Sequence, residues 1–300
     1  MFMRKFGIVI VLLMITGCAS GPKFRYVDRP EPVVGTDSSV AILVDVCNQV
    51  DVVGKGDYCI IDESKEIAPA VAEKVKEYLE LNGIPVKTEI IPFVCGTFDS
   101  PENLPVKVAQ KAGEDVNEIS KPYAVADEIR EDPEYLNSLT TLSTYVLERS
   151  IIKYLEDSGK TEKPALIVNE DQFKEAVEVV KSRLDVSSLM YIGIRGTKVS
   201  GGKKFGQGLV SFTVGVATGV ATMGMVSVGN TSYGVMFIPG RKSDGSYEIA
   251  GLIDLEKEEL SWKNYADAPG DPEDIKFVAS PQRVGLLLND MIFTKESIKK

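Results

Sequence analysis

The sequence predicts an α/β fold with a mixed sheet, and three observations support this prediction. A strand, an amphipathic helix and a second strand follow one another between residues 40 and 95. Two further helical patterns follow at 135–155 and 171–184, and strand candidates separated by short turns come after residue 232. Strands joined through a helix pair in parallel, whereas strands joined by short turns pair antiparallel. About 260 residues with one such series fit a single domain, which we place at residues 39–300.

The first predicted unit begins with "VAILVDVC", residues 40–47, a nearly continuous apolar run typical of a strand buried on both faces. Residues 62–83 follow with a helical spacing of apolar side chains. We expect the cap of this helix among residues 62–64 and its end at Gly83. "IPVKTEIIPFVC", residues 84–95, is the second strand, so the unit is a parallel crossover.

The remaining elements are predicted with the same rules. Residues 96–131 are interrupted by prolines and carry a weaker pattern, whereas 135–155 and 171–184 have the spacing of amphipathic helices. "SSLMYIGIRGTKV", residues 187–199, returns to strand chemistry. "SYGVMFIP", "YEIAGLIDLE" and "ELSWKN" are three later strands, and "PQRVGLLLNDMIF" closes the chain as a helix.

The first residues predict a secretory signal. Arg4 and Lys5 precede an apolar stretch that is too short for a permanent membrane span, and small residues lead to Cys18. The residues before Cys18 resemble the bacterial lipobox, which implies that residues 1–17 are removed and that Cys18 is acylated. Ala19 after the cysteine favours the outer membrane by resemblance to sorted lipoproteins. Several acyl chains anchor a protein stably, and residues 18–38, rich in Pro and without periodicity, are expected to be a tether.

Composition excludes several kinds of chemistry. The chain has no histidine, so a Ser-His-Asp or Cys-His site cannot form. The net charge of −10 becomes −12 without Arg4 and Lys5, which disfavours binding to nucleic acid or anionic headgroups. The acidic clusters at 256–259 and 271–274 are expected to be solvated turns. We therefore predict no enzyme activity, no cofactor and no metal site. Asp45 is an unusual carboxylate in an apolar strand, which needs a partner, a raised pKa or a backbone contact at the strand end.

Apart from the acylated Cys18, the mature chain has an odd number of cysteines, namely Cys47, Cys59 and Cys95. One bridge with one buried thiol is the simpler interpretation, and a redox-active pair is the alternative, which no C-x-x-C motif supports. Cys47 and Cys95 both end strands of the predicted crossover, where adjacent strands lie ~4.8 Å apart. Bridged cysteines have Cα atoms ~5.5 Å apart, so we predict a disulfide between these two residues.

Residues 205–240 contain no charged side chain, although 26% of the chain is charged, and we call this segment the insertion. Its alternating apolar and small residues favour a strand, whereas its G-x-x-x-G spacing is typical of packed membrane helices. The length fits one spanning helix or two strands of ~10 residues. Exposed apolar side chains forgo ~1.5–3 kcal/mol of burial each. The alternatives are packing on its own domain or on a neighbouring subunit, and insertion into the membrane. We predict that the insertion contacts a membrane or another subunit. The expected contact residues are Leu209, Val210, Phe212, Val214, Val216, Val220, Met223 and Met225.

A pattern near the end of the sequence resembles bacterial envelope lipoproteins. Ile253-Asp254 ends one strand and Leu260-Ser261-Trp262 lies in the next, with acidic residues where those families usually have Thr-Gly-Glu. This is similar to the curli-secretion-channel lipoproteins and to lipoproteins with a domain like the N-terminal domain of the translocation protein TolB. The resemblance implies a strand, helix, strand, helix order followed by antiparallel strands.

Two functions follow as expectations. The first is a non-enzymatic, lipid-anchored protein on the periplasmic face of the outer membrane, which assembles, scaffolds or traffics envelope components through contacts with proteins or with itself. The second is an oligomeric secretion-channel or pore subunit whose insertion enters the membrane.

Overall fold

The computed structural model describes residues 24–28, 39–52, 56–95, 106–119, 123–157, 166, 168–199, 226–228, 231–233 and 244–297. It confirms the predicted class, because helices pack on an eight-stranded sheet with both parallel and antiparallel pairs. The strands in chain order are β1 (Phe24–Asp28), β2 (Val40–Val52), β3 (Gly56–Ile60), β4 (Val86–Ile90), β5 (Phe93–Val94), β6 (Val106–Ala109), β7 (Asn117–Ile119), β8 (Tyr123–Ala124), β9 (Ser188–Val199), β10 (Val226–Val228), β11 (Thr231–Tyr233), β12 (Gly245–Asp254), β13 (Glu259–Pro269) and β14 (Phe293–Ser297). The helices are α1 (Ile61–Leu81), α2 (Asp127–Glu131), α3 (Pro133–Asp157), α4 (Glu170–Arg183), α5 (Ile275–Val278) and α6 (Pro281–Ile292).

The large sheet is organised around β2 and β9, which pair in parallel over twelve positions from Val40↔Ser188 to Asp51↔Val199. Its strand order is β13-β12-β9-β2-β3-β6-β7. The beginning of β2 pairs in parallel with β4 and its end pairs antiparallel with β3. The predicted crossover through α1 is therefore present, with the β2–β3 hairpin inserted before the helix.

Two apolar cores cover the two faces of the sheet. Alternate residues of β2 point to opposite faces, as the pleat requires: Val40 and Ile42 lie in the core shared with α1 and α6, whereas Ala41 and Leu43 lie in the core shared with α3 and α4. The molecule is thus a three-layer arrangement with the sheet in the middle. Trp262 on β13 is buried in the first core.

The first half of the chain differs from the sequence prediction in three places. β2 is five residues longer than the predicted strand and turns into β3, because alternating apolar residues continue beyond Cys47 to the glycines at 54 and 56. The helix α1 begins directly after β3 without a side-chain cap, so the cap expected at residues 62–64 is wrong. The predicted second strand is divided into β4 and β5 around Pro92, which has no N–H to donate to a ladder.

The two ends of the folded chain pair with each other. β1 lies within residues 18–38, which were expected to be only a tether, and it pairs antiparallel with β14 from Phe24↔Ser297 to Asp28↔Phe293. A strand whose partner is more than 260 positions away carries no local signal beyond its β-branched and aromatic residues. The folded part of the chain therefore begins before residue 39.

Candidate interaction site

The connection that contains the insertion begins and ends at the same end of the sheet. β9 ends at Val199 and β12 begins at Gly245, and the two strands are antiparallel neighbours with Gly245 opposite Thr197. Residues 200–244 therefore connect two adjacent strands at the end of the sheet where β2 also finishes. Both strands that flank this connection belong to the large sheet.

Polar contacts join Val199 and Asp244, which flank the connection that contains the insertion. We call this place the base of the insertion. The Val199 N–H donates to Asp244 Oδ1 over 2.9 Å, and the Gly270 N–H donates to the Asp244 carbonyl over 3.3 Å. Beside them, Lys198 forms ion pairs with Asp271 and Glu273. Burial lowers the pKa of Lys198, but its hydrogen bond to Glu273 and the nearby acidic charges outweigh burial and raise it. The base of the insertion is thus fixed to the sheet by both backbone and charge.

Part of the insertion forms a β-hairpin. β10 and β11 pair antiparallel, with Val226 opposite Tyr233 and Val228 opposite Thr231, across the dipeptide Gly229-Asn230. A two-residue Gly-Asn connection is typical of tight hairpin turns. Residues 205–225, where the helix and strand alternatives apply, lie outside the described residues, so both alternatives stay predictions. Of the predicted strand "SYGVMFIP", residues 232–239, Ser232 and Tyr233 lie in β11, and residues 234–239 lie outside the described residues.

The predicted contact residues Leu209, Val210, Phe212, Val214, Val216, Val220, Met223 and Met225 lie outside the described residues, as does Cys18. Within the described part of the chain, no helix is both long and apolar enough to cross a membrane. The expectation of membrane or subunit contact remains a prediction.

A disulfide lies close to this end of the sheet. Cys47 and Cys95 are bridged with their Cα atoms 4.6 Å apart, which confirms the predicted pairing. Cys47 is the register partner of Arg195 on β9, four residues before the strand ends. Cys95 follows β5, and its N–H donates to the Val46 carbonyl over 3.2 Å. Cys59 on β3 has the third sulfur. Among the described His, Cys, Asp and Glu residues, these three cysteines form the group whose ligand atoms lie close enough for one metal ion, but the disulfide uses two of its sulfurs.

The unusual carboxylate of Asp45 has the partner that its burial requires. Asp45 forms an ion pair with Arg195, and both side chains are almost completely buried, at 0% and 2% exposure. Arg195 Nη1 also donates to the carbonyls of Asp45 and Ile194 over 3.0 and 2.9 Å. Burial would lower the pKa of Arg195, but the charge of Asp45 outweighs it and raises that pKa further. Of the sequence-based alternatives for Asp45, a charged partner is the one observed.

Sequence reasoning missed the partner and a second buried pair. Arg195 lies inside the apolar run of β9, and Glu248 interrupts β12 in the same way. Glu248 pairs with Arg283 of α6, whose guanidinium also donates to Ser246 Oγ over 2.8 Å. Burial raises the pKa of Glu248 although Arg283 acts in the opposite direction. A charged residue in an apolar strand was the available signal, yet the partner could not be identified because it lies on another element.

Both acidic clusters form turns. Asp254 Oδ1 accepts from the N–H groups of Glu256 and Lys257 over 3.0 and 2.9 Å, which shapes the β12–β13 turn. In the second cluster, Asp271 Oδ1 accepts from the Glu273 N–H over 3.1 Å and Asp274 caps α5. Asp254, Asp271 and Asp274 therefore have structural roles as turn and cap residues.

Comparison with known proteins gives no match: no family model, no curated protein and no solved structure matches this chain. The similarity of the Asp254–Trp262 hairpin to envelope lipoproteins therefore remains a resemblance in sequence pattern.

Proposed function

We propose that this chain is a non-enzymatic lipoprotein of the bacterial outer membrane, held at its periplasmic face through Cys18. In this role it assembles, scaffolds or traffics envelope components through protein contacts. The observation that supports the proposal best is the placement of the insertion. An uncharged segment of 36 residues lies in the connection between two strands at a sheet end that is fixed by the Val199–Asp244 hydrogen bond and lies near a disulfide.

The physical argument concerns where the apolar face of the insertion is covered. Val210, Phe212, Val214 and Val216 alternate with small or polar residues, so an extended conformation places them on one face. An apolar face of this kind marks an interaction surface when it is not covered by its own domain. The acidic remainder of the chain stays solvated and keeps the protein away from anionic headgroups.

Exporting the chain from Ala19 onward behind a cleavable signal tests the proposal, because this form has no lipid anchor. If the insertion contacts protein, the exported chain is soluble and oligomeric in size-exclusion chromatography with light scattering. Deleting residues 205–240 makes it monomeric. Eight residues then remain between Val199 and Asp244, enough to preserve the base of the insertion. A soluble monomer whose insertion is cut by protease throughout would contradict the proposal.

A matched pair of double variants distinguishes loss of the apolar contact from a general effect of added charge. F212D together with V214D places two charges on the apolar face, whereas S211D together with T213D places two charges on the other face. Both pairs change the net charge equally. We expect the first pair to abolish oligomerisation and the second to leave it intact.

The β10–β11 hairpin favours a second candidate, an oligomeric pore or secretion-channel subunit. Hairpins from several subunits can close into a barrel whose backbone groups are all paired, as a membrane requires. Light scattering on detergent-solubilised, lipidated protein distinguishes the two candidates. A ring of many copies favours the pore, and membrane sedimentation of the anchorless chain would favour it as well.

A further inference from the structure

The cluster of three sulfurs beneath the end of the sheet is not explained by the proposed function. The Sγ atoms of Cys47, Cys59 and Cys95 all lie within 4.8 Å of one another. Their residues are 0%, 2% and 3% exposed, in a small core with Ile61, Val94 and Val108. A structural bridge needs only two cysteines, so Cys59 is not required for it. Because all three residues are buried, the Cys59 thiol lies beside the disulfide in a place that thiols in solution do not reach.

The topology brings these sulfurs together. On the β2–β3 hairpin, Gln49 is opposite Cys59, and Cys47 lies on the same face as Gln49 because side chains alternate along a strand. Cys47 and Cys59 are thus diagonal neighbours on two strands whose backbones are fixed by the ladder. Cys95 comes after β5 and has a positive φ of 59°, an uncommon conformation for a residue with a side chain.

A buried cation lies beside the sulfur cluster. Arg195 is the register partner of Cys47, and its guanidinium interacts electrostatically with Cys59. A cation beside a thiol favours the thiolate, which is the attacking species in thiol–disulfide exchange. Asp45 forms an ion pair with Arg195 and balances the arginine charge in part.

We propose that Cys47, Cys59 and Cys95 form an internal thiol–disulfide exchange site. In this site Cys95 bonds either to Cys47 on β2 or to Cys59 on β3. The Cys59 thiolate attacks Sγ of Cys95, a Cys59–Cys95 bond forms, and the Cys47–Cys95 bond breaks. The electron pair of the broken bond leaves with Cys47, which takes up the proton that Cys59 released. No oxidant or reductant is consumed, because one disulfide replaces another.

Geometry selects Cys95 as the sulfur that changes partner. Diagonal neighbours in antiparallel strands have Cα atoms roughly 7–8 Å apart, beyond the usual range for a disulfide. A direct Cys47–Cys59 bridge would therefore distort the β2–β3 ladder. Cys95 lies outside that ladder, and its Sγ lies within 4.8 Å of the sulfurs on both strands, so it can change partner while its N–H stays bonded to the Val46 carbonyl. Exchange therefore moves the covalent attachment of Cys95 from β2 to β3.

The test uses the full-length chain carrying C18S, so that Cys47, Cys59 and Cys95 are its only cysteines. The C47S variant is refolded in a buffer of reduced and oxidised glutathione, and disulfides are located by non-reducing peptide mapping. We expect a Cys59–Cys95 bridge and loss of both free thiols. The matched C95S variant retains the diagonal pair and is expected to keep both thiols. Two free thiols or two glutathione adducts in C47S would overturn the proposal.

A second measurement needs no variant of the cluster and remains decisive if C47S fails to fold. The C18S chain is incubated at neutral pH, quenched in acid, unfolded, and alkylated with N-ethylmaleimide. Because exchange distributes the single thiol between two sites, label is expected on both Cys59 and Cys47. Label on Cys59 alone would overturn exchange. The C59S chain has no thiol to exchange and serves as the control, in which no label is expected.

Discussion

At the residue scale, the buried pair of Asp45 and Arg195 is the feature whose disruption should have the largest effect. Removing one partner of a buried ion pair leaves the other charge without compensation and costs about 3–5 kcal/mol. We expect D45N to lower the free energy of unfolding by about this amount in urea denaturation, because the buried Arg195 guanidinium keeps its charge.

The control for this prediction is D185N. Asp185 pairs with Lys87 over 2.8 Å on the surface, where its side chain is fully exposed. Exposed ion pairs often contribute nothing measurable, so D185N should leave the unfolding midpoint unchanged. Equal effects of D45N and D185N would show that burial does not determine the stabilising contribution of the first pair.

Asp132 gives a pH-dependent prediction at the start of α3. Its Oδ1 accepts from the Tyr135 N–H over 3.1 Å, and its Oδ2 accepts from Arg183 over 2.9 Å. The hydrogen bond from Tyr135 and the contact with Arg183 lower the pKa of Asp132 below its usual 3.8. A lowered pKa in the folded state stabilises the protein above the unfolded pKa, and this contribution is lost as the pH falls through the lowered value.

We therefore expect D132A to melt at a lower temperature than the parent chain at pH 7, with a gap that narrows below pH 3.8. D132N retains an acceptor oxygen but not the charge and should lie between the two. Thermal unfolding followed by circular dichroism at several pH values measures the gap. A gap that is constant from pH 7 to pH 3 would contradict the charged role of the carboxylate.

At the element scale, α6 shows how one helix face stabilises the sheet. Leu288 is fully buried against the core of α1 and the sheet, whereas Leu286 on the same helix is 65% exposed. Replacing a buried leucine by alanine costs about 2–5 kcal/mol through lost burial and cavity formation, and exposed substitutions usually change stability by less than ~0.5 kcal/mol. We expect L288A to be destabilised by that larger amount and L286A to be nearly unaffected.

Trp262 provides the measurement for this pair of variants. It is the only tryptophan of the chain and lies in the same apolar core as Leu288. Its fluorescence therefore follows exposure of this core during denaturation. If L286A and L288A unfold at the same denaturant concentration, α6 does not pack on the sheet as described.

The elements also show the limits of local patterns. The helices α1, α3 and α4 follow from apolar residues three and four positions apart, and α4 has a capping box in which Asn169 and Gln172 satisfy each other's backbone N–H groups. The sequence of β3 is too short to predict a strand by itself, and only its pairing with β2 identifies it as one. β1 and β14 are defined by each other, because an isolated strand of five residues has no stability of its own.

At the scale of the whole molecule, stability should be unevenly distributed. β2 and β9 are paired on both sides and covered by helices on both faces, whereas β10 and β11 form a separate two-stranded sheet among the described residues. We expect amide hydrogens of β2 and β9 to exchange roughly 1,000-fold or more slowly than those of β10 and β11 in the monomeric, anchorless chain.

Hydrogen exchange followed by mass spectrometry measures this difference. Equal protection of β9 and β10 in the monomer would show that the insertion is covered by its own domain, which contradicts its role as a contact surface. Protection of β10 that appears only in the oligomer would support that role. β9 serves as the internal control, because its amide hydrogens should be equally protected in the monomer and in the oligomer.

The sequence by itself determined the α/β class, the three long helices and the disulfide between Cys47 and Cys95. It also marked the uncharged insertion and the isolated carboxylate of Asp45. These features depend on periodicity, composition and short-range spacing, which are local properties of a chain. Only the tertiary structure decided that β9 lies beside β2, that Arg195 neutralises Asp45 and that Cys59 lies beside the disulfide. These contacts connect residues 150 positions apart in one case and join three separate segments in the other, and such pairings are selected by the free energy of packing the whole chain rather than by any local pattern.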